Sequence, residues 1–138
     1  MIYLLSLGSN LGNREETLCE ALKRIEEVGH VDRCSSFFYS EPWGFESKNA
    51  FCNVCCRLVT EMEPMVVLRE TQAIEQNMGR AHKSVNGVYA DRTIDIDLIR
   101  VFDENGEEVR VCSEELTLPH PLWEKRDFVK IPLAEIID

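Results

Sequence analysis

The sequence has little positive charge. It contains 15 lysine and arginine residues against 25 aspartate and glutamate residues, so its formal net charge is −10. Non-specific nucleic-acid binding depends on clustered cations that release counterions from phosphate backbones, and we therefore expect no nucleic-acid partner. The exception is local, because Arg80, His82, Lys83 and Arg92 lie close together in the sequence with only Asp91 to oppose them.

Long hydrophobic runs are absent as well. No apolar stretch approaches the roughly 20 residues that span a bilayer, and residues 1–5 lack the basic start of a secretory signal. We expect no membrane partner and a soluble, cytoplasmic protein. The length of 138 residues, with 44% hydrophobic and 29% charged residues, fits one globular domain over residues 1–138. We expect this domain to act as a monomer.

The common nucleotide-binding signatures are missing. The chain has no Gly-x-x-x-x-Gly-Lys-Ser/Thr loop, no Gly-x-Gly-x-x-Gly turn, and no His-Arg-Asp with Asp-Phe-Gly. The sequence therefore argues against the mechanisms of P-loop enzymes and of protein kinases.

A disulfide framework is not indicated either. The six cysteines occur in a chain with a large apolar fraction and no secretion signal, which needs no covalent staples. Cys52, Cys55 and Cys56 resemble half a zinc site, but alternation places Cys52 and Cys55 on opposite faces of a strand, and no second Cys or His pair has suitable spacing. We interpret the cysteines as reduced packing residues.

What the sequence does contain is a regular series of apolar patterns. These patterns predict strands at 2–7, 31–39, 50–60 and 94–101, and helices at about 14–28 and from 64 to 79. The order strand, helix, strand, strand, helix, strand is typical of an α+β ferredoxin-like sandwich with a βαββαβ core. We expect an antiparallel sheet with helices on one face and active-site loops on the other, followed by C-terminal loops around a short helix.

Two carboxylates share one face of the last predicted strand. Asp95 and Asp97 alternate with Ile94, Ile96 and Leu98, so the acids stand opposite the apolar side chains. Their spacing of about 6–7 Å suits Mg²⁺ ions that keep several waters and share substrate phosphates. A solvated strand face without a role is the alternative, but the preceding basic loop supplies the arginines that metal-bridged phosphates need.

A second strand presents an aromatic ring and an amide. In 50–60 one face carries the better core residues, Cys52, Val54, Cys56 and Leu58. The opposite face carries Phe51 and Asn53, which share it with the acids if both strands belong to one sheet. A ring for stacking and an amide for pairing indicate a flat heterocyclic ligand.

These motifs occur in an order that resembles a known family, the 6-hydroxymethyl-7,8-dihydropterin pyrophosphokinases, over nearly the whole chain. The matching blocks are LGSNLGN at 7–13, SFFYSEPWG at 36–44, FCN at 51–53, IEQNMGR at 74–80, DRTIDIDL at 91–98 and LPH at 118–120. Each block is weak alone, but their order is specific.

The resemblance implies an ATP-dependent diphosphokinase of folate biosynthesis that transfers pyrophosphate from ATP to the hydroxymethyl group of the pterin and releases AMP. It implies that Asp95 and Asp97 bind two Mg²⁺ ions, with Arg80 and Arg92 as further catalytic residues. The implied ATP contacts are Gln72, Glu75, His82, Leu98, Thr117, His120 and Arg126. The implied pterin contacts are Ser40, Glu41, Trp43, Phe51, Asn53 and Phe128.

Two other functions fit parts of the pattern. A ferredoxin-like module that binds a ligand without catalysis would explain the fold, but it has no need for Asp95 and Asp97 beside an arginine loop. Another Mg²⁺-dependent nucleotide transferase would explain the acids, but it does not predict Phe51 and Asn53. The fold alone does not decide between them, because ferredoxin-like sheets host many functions.

Overall fold

A computed structural model describes residues 1–40, 50–80 and 94–137, with only the backbone at residue 80. The strands are β1 (Ile2–Ser9), β2 (His30–Cys34), β3 (Phe38–Ser40), β4 (Phe51–Val59), β5 (Asp95–Phe102), β6 (Val111–Cys112) and β7 (Thr117–Leu118). The helices are α1 (Arg14–Ile25), α2 (Pro64–Glu75) and α3 (Asp127–Ile136), with a wide turn at Gln76–Arg80 and a 3-10 turn at Trp123–Lys125.

The main sheet has the strand order β2, β4, β1, β5, and β3 also pairs with β4. All pairings are antiparallel, so the predicted ferredoxin-like α+β sandwich is confirmed. The single strand predicted at 31–39 is two strands. The hydroxyl of Ser35 accepts the Cys55 N–H at 2.9 Å, in place of a backbone carbonyl, and this interrupts the ladder between β2 and β3.

The main core lies between the sheet and helices α1 and α2. Fully buried side chains of β1 and β4, including Leu5, Leu7 and Leu58, pack with Leu18 and Val67 of the two helices. The predicted inward face of β4 is confirmed, since the core also contains Cys52, Val54, Cys56 and Leu58. Helix α1 begins at the predicted cap, where the Asn13 side chain accepts the Glu16 N–H at 3.2 Å.

Helix α3 covers part of the opposite sheet face, which differs from the predicted one-sided arrangement. Its residues Val129, Leu133 and Ile136 pack on Leu4, Cys55 and Ile99 of the sheet. The prolines predict loops around a short helix, yet the ten-residue helix continues through Pro132. Proline interrupts a helical hydrogen bond, but burial of an i, i+4, i+7 stripe outweighs that penalty here.

A bulge in β5 reverses its alternation halfway along. Leu5 pairs with Leu98 while Leu4 pairs with Arg100, so Ile99 is an extra residue on β5. After the bulge, Val101 faces the main core, and Ile99 belongs to the second apolar cluster under α3. The bulge therefore places Arg100 on the same sheet face as Asp95 and Asp97.

The buried cysteines serve as packing residues. Cys52, Cys55 and Cys56 are each 0% exposed, and all six cysteines are free thiols. Burial raises the pKa of the Cys55 thiol to about 12 and that of Cys56 well above its usual value. These thiols therefore stay protonated and poorly nucleophilic near neutral pH.

Within the described ranges, no helix has both the length and the apolar character that crossing a bilayer requires.

Replacing Leu133 by alanine tests the packing of α3. Leu133 is 0% exposed in the second cluster, so Leu133→Ala should lower the free energy of unfolding by about 2–5 kcal/mol. Ile131→Ala on the same helix is the control, because Ile131 is 47% exposed and should change stability by only about 0.5 kcal/mol. Urea denaturation measures both. Equal losses in the two variants would mean that α3 does not pack on this face.

Candidate functional site

The two carboxylates of β5 lie on the sheet face that carries α3, beyond the end covered by that helix's apolar stripe. Asp95 and Asp97 are half-buried, while Ile96 and Leu98 between and beside them are buried in the main core. The predicted division of faces is thus confirmed. Strand geometry separates the two acids by about 6–7 Å along one face.

A side chain of α2 holds the β5 backbone between Asp95 and Asp97. Glu75, which is 4% exposed, accepts the Ile96 N–H through Oε2 at 2.7 Å. A carboxylate acceptor makes this hydrogen bond stronger than a neutral one. The residue between the two acids is therefore fixed, which limits how far Asp95 and Asp97 move relative to each other.

Gly8 on the central strand links the acids to the predicted heterocycle site. In the ladder Gly8 pairs with Asn53 on one side and with Asp95 on the other. Two strand spacings put Asn53 and Asp95 about 9–10 Å apart. A Cβ at Gly8 would lie 3.0 Å from Asn53 Oδ1 and 3.4 Å from Phe51 Cδ1. Because Gly8 has no side chain, Phe51 and Asn53 lie close against the central strand, and Gly8 itself is buried. We call the surface formed by Gly8, Phe51, Asn53 and Asp95 the Gly8 groove.

The Asn53 side chain is oriented by β3. Its amide nitrogen donates to Phe38 O at 3.0 Å and to Ser40 Oγ at 2.8 Å. Phe38 O accepts only, so the nitrogen must face β3, and the Oδ1 atom faces Gly8. The amide is 2% exposed, which makes it a fixed acceptor at the groove rather than a solvated group.

The segment after β7 brings His120 to the acid side of the site. The His120 N–H donates to Ile99 O at 2.8 Å, and its Nδ1 accepts the Leu122 N–H at 3.2 Å. In the neutral ring the proton is therefore on Nε2. Burial lowers the pKa of His120, and Arg126 lowers it further, against an opposing effect of Asp95. These three predicted site residues thus share one electrostatic environment.

Arg126 also contacts the predicted stacking residue of the pterin side. Its guanidinium carbon lies 5.8 Å from the centroid of the Phe128 ring, within the range of a cation–π contact. Phe128 is half-buried in the first turn of α3. Sequence reasoning from the residues gave no role to Phe128, since one aromatic in a proline-rich segment carries no periodic signal.

The other predicted residues differ in what they present to a ligand. Gln72 and Thr117 are exposed, whereas Leu98 is 3% exposed and offers a ligand only its backbone. Glu75 already binds the Ile96 N–H. Glu41, Trp43, His82 and Arg92 lie outside the described residues, as does the side chain of Arg80.

Sequence reasoning did not assign a role to Gly8, although a signal was present. A glycine inside a strand pattern marks a place where another backbone or a ligand approaches closely. The apolar pattern ends the first strand before Gly8, whereas β1 continues through it to Ser9. Nothing in the alternation shows that Gly8 pairs on both sides.

Within the described ranges, no three His, Cys, Asp or Glu residues form a group suited to a metal ion. The donor chemistry of Asp95 and Asp97 nevertheless fits Mg²⁺, which prefers one or two carboxylates and takes its remaining ligands from water and phosphate.

Comparison with known proteins supports one family. The family model for 7,8-dihydro-6-hydroxymethylpterin-pyrophosphokinase (HPPK) matches residues 4–138. A 2-amino-4-hydroxy-6-hydroxymethyldihydropteridine pyrophosphokinase of Porphyromonas gingivalis is 46% identical over 136 residues, covering 98% of this chain and 90% of the relative. The enzyme of the same name from Aquifex aeolicus is 34% identical over 135 residues, covering 98% of this chain and 79% of the relative.

Solved structures agree with the fold. A chain described as HPPK-DHPS in complex with substrates superposes with a TM-score of 0.68 at 14% identity. The match covers 99% of this chain and 40% of that chain, so the present protein corresponds to less than half of the fused one. With the match of the family model over residues 4–138, the chain belongs to the 7,8-dihydro-6-hydroxymethylpterin-pyrophosphokinase (HPPK) family.

Proposed function

We propose that the protein transfers the pyrophosphoryl group of ATP to the hydroxymethyl group of 6-hydroxymethyl-7,8-dihydropterin in folate biosynthesis, with release of AMP. The observation that carries the proposal is the row of Asn53, Gly8 and Asp95 across three neighbouring strands. It joins a surface for a flat heterocycle to a surface for metal-bound phosphate. Membership of the HPPK family supports the same reaction.

The pterin would lie over the Gly8 groove. Phe51 offers one aromatic face, and Asn53 Oδ1 offers a fixed acceptor for a ring N–H. Phe128, at the start of α3, is the candidate for the other aromatic face. The pterin contacts of Ser40, Glu41 and Trp43 belong to the same proposal, with Ser40 also orienting Asn53.

The triphosphate would lie on the acid side of the groove. Asp95 and Asp97 would hold Mg²⁺, which when bound offsets negative charge on phosphate oxygens. Arg126 and the Nε2–H of neutral His120 would donate to phosphate oxygens. Arg80, His82 and Arg92 are proposed as further phosphate contacts, and Gln72, Glu75, Leu98 and Thr117 as contacts of the nucleotide.

The reaction needs no protein nucleophile. The hydroxymethyl oxygen attacks the β-phosphorus in line, the bond from that phosphorus to the oxygen of AMP breaks, and the hydroxyl proton passes to water. The protein's contribution is positioning, because a heterocycle held at Asn53 and a triphosphate held near Asp95 bring the reacting atoms together in one orientation. The surrounding cations act on charge that develops on the phosphate oxygens.

Four further expectations stay predictions. They are the count of two Mg²⁺ ions, the single domain over residues 1–138, the monomeric state and the cytoplasmic location.

Product analysis tests the proposed reaction directly. Purified protein with Mg²⁺ and ATP should form AMP only when the hydroxymethyl pterin is present, and removing Mg²⁺ with a chelator should stop the reaction. ADP in place of AMP would indicate a simple kinase. Pterin binding without any nucleotide product would favour the non-catalytic ligand-binding module.

Asp97→Asn tests the metal-binding role of the acid pair. The amide keeps the size of the side chain but removes the charge that Mg²⁺ requires, so kcat should fall by about 100-fold or more and should recover partly at high Mg²⁺. Glu104→Gln, in an exposed turn, is the control for loss of one negative charge. Wild-type turnover of Asp97→Asn at limiting Mg²⁺ would contradict the role.

Gly8→Ala tests the groove. The new methyl would crowd Asn53 Oδ1 at 3.0 Å, so the KM for the pterin should rise by about tenfold or more. Stability should fall by about 1 kcal/mol, because the preference for alanine over glycine in a strand interior only partly offsets the crowding of the buried Asn53 side chain.

The matched control is Gly12→Ala, which should lose stability without affecting the pterin KM. Gly12 has a φ of 64°, and no atom lies within 4 Å of the point where its Cβ would stand. Alanine there should lose about 1–2 kcal/mol of stability and leave the pterin KM unchanged. An unchanged pterin KM in Gly8→Ala would show that the groove is not the pterin site.

A further inference from the structure

Arg100 forms a paired contact that the proposed reaction does not use. Its Nε donates to Glu108 Oε2 at 2.9 Å and its Nη2 donates to Glu108 Oε1 at 3.0 Å. The two side chains are only 24% and 20% exposed. A bidentate contact in partial burial is geometrically rigid. It links β5 to the residues that follow the turn at 103–106, where a backbone bridge between Phe102 and Glu108 makes a second link.

The Arg100 guanidinium also stacks with two aromatic rings. Its central carbon lies 5.0 Å from the Phe102 centroid and 5.4 Å from the Trp123 centroid. Planar guanidinium groups stack well on such rings. The contact with Glu108 holds the guanidinium in one plane, and Trp123, which also packs against the second apolar cluster, lies against that group.

Trp123 lies in the turn between His120 and Arg126, the two residues proposed to contact the phosphates. The Trp123 N–H donates to His120 O at 3.4 Å, and the Arg126 N–H donates to Trp123 O at 3.3 Å. The same segment is also attached to the residue before Arg100 on β5, because Ile99 O accepts the His120 N–H at 2.8 Å. The β5 bulge thus holds the segment at two adjacent points, Ile99 by its backbone and Arg100 by its side chain.

We propose that Arg100, held by Glu108 and stacked on Trp123, is a positioning residue that sets the placement of His120 and Arg126 for the nucleotide phosphates. The inference rests on the proposed function, since it assigns these two residues to ATP. Arg100 itself does not bind phosphate in this scheme, because two of its donors are committed to Glu108. Its effect passes through Trp123 and the turn that follows.

The test compares two arginine variants that each break a bidentate ion pair of similar exposure. Arg57 on β4 makes an equivalent bidentate pair with Asp32, at 2.9 and 2.6 Å, with side chains 22% and 25% exposed. Both variants, Arg100→Met and Arg57→Met, should lose stability in urea denaturation, and Arg100→Met should lose somewhat more because it also gives up its contacts with Phe102 and Trp123. Only Arg100→Met should raise the KM and the Kd for Mg²⁺–ATP, by about tenfold. Its effect on the pterin Kd, through the contact of Arg126 with Phe128, should be smaller.

Variants of the partners separate positioning from general damage. Trp123→Phe keeps an aromatic ring for Arg100 and should retain an affinity for Mg²⁺–ATP near that of the wild type. Trp123→Leu should lose as much Mg²⁺–ATP affinity as Arg100→Met. Arg100→Lys keeps the positive charge but not the planar guanidinium, so it should restore little of the Mg²⁺–ATP affinity that Arg100→Met loses. The double variant Arg100→Met with Trp123→Leu should be no worse than either single variant, because both act through one contact.

Each outcome decides the inference. It is overturned if Arg100→Met and Arg57→Met show the same Kd for Mg²⁺–ATP by calorimetry, or if Arg100→Lys restores wild-type affinity. The proposed function fails separately, if wild-type protein binds Mg²⁺–ATP but forms no pterin-dependent AMP. In that case the calorimetric comparison still tests whether Arg100 positions the nucleotide site. If wild-type protein does not bind Mg²⁺–ATP, both proposals are wrong.

Discussion

The pairing of β1 with two neighbours at once is the constraint on which the site depends. Gly8 lies between Asn53 on β4 and Asp95 on β5, so the register of β1 with its two neighbours sets the distance between the proposed heterocycle and phosphate sites. A slip of one residue on either side would turn the acids or the amide into the core. Leu58 on β4 and Ile96 and Leu98 on β5, which are buried in the main core, resist such a slip because it would expose them.

The second sheet face is shared between packing and chemistry. Helix α3 covers the part that carries Leu4, Cys55 and Ile99, and the proposed substrates would bind at the remaining part, which carries Gly8 and the acids. The same helix carries Phe128 in its first turn and directly follows Arg126, so the helix that covers one half of the face also positions two side chains near the other half. Its packing and the placement of these residues are therefore not independent.

How far the sequence predicts this structure depends on whether a feature is local. The alternation of Asp95, Ile96 and Asp97 is sufficient to assign their faces, since a strand has a period of two and the main core selects the apolar side.

Features that depend on distant residues are not predicted. The bulge at Ile99 reverses that alternation, and it exists because β5 must satisfy both the main core and the second cluster. Helix α3 passes through Pro132 because its stripe finds a surface on the sheet, and local propensity contains no such information. The orientation of Asn53 follows from groups on β3, which no pattern within β4 reveals.

Arginine is used in two different ways in this acidic chain. The charge of Arg126 reaches the substrate side, since it contributes to the lowered pKa of His120. Arg100 lies on the same face, but hydrogen bonds with Glu108 hold the pKa of that carboxyl below its usual range, and the pair presents little net charge. An arginine neutralised in this way acts through its shape. The rigid fork and flat surface of Arg100 matter for where Trp123 lies, and so for where the charge of Arg126 is placed.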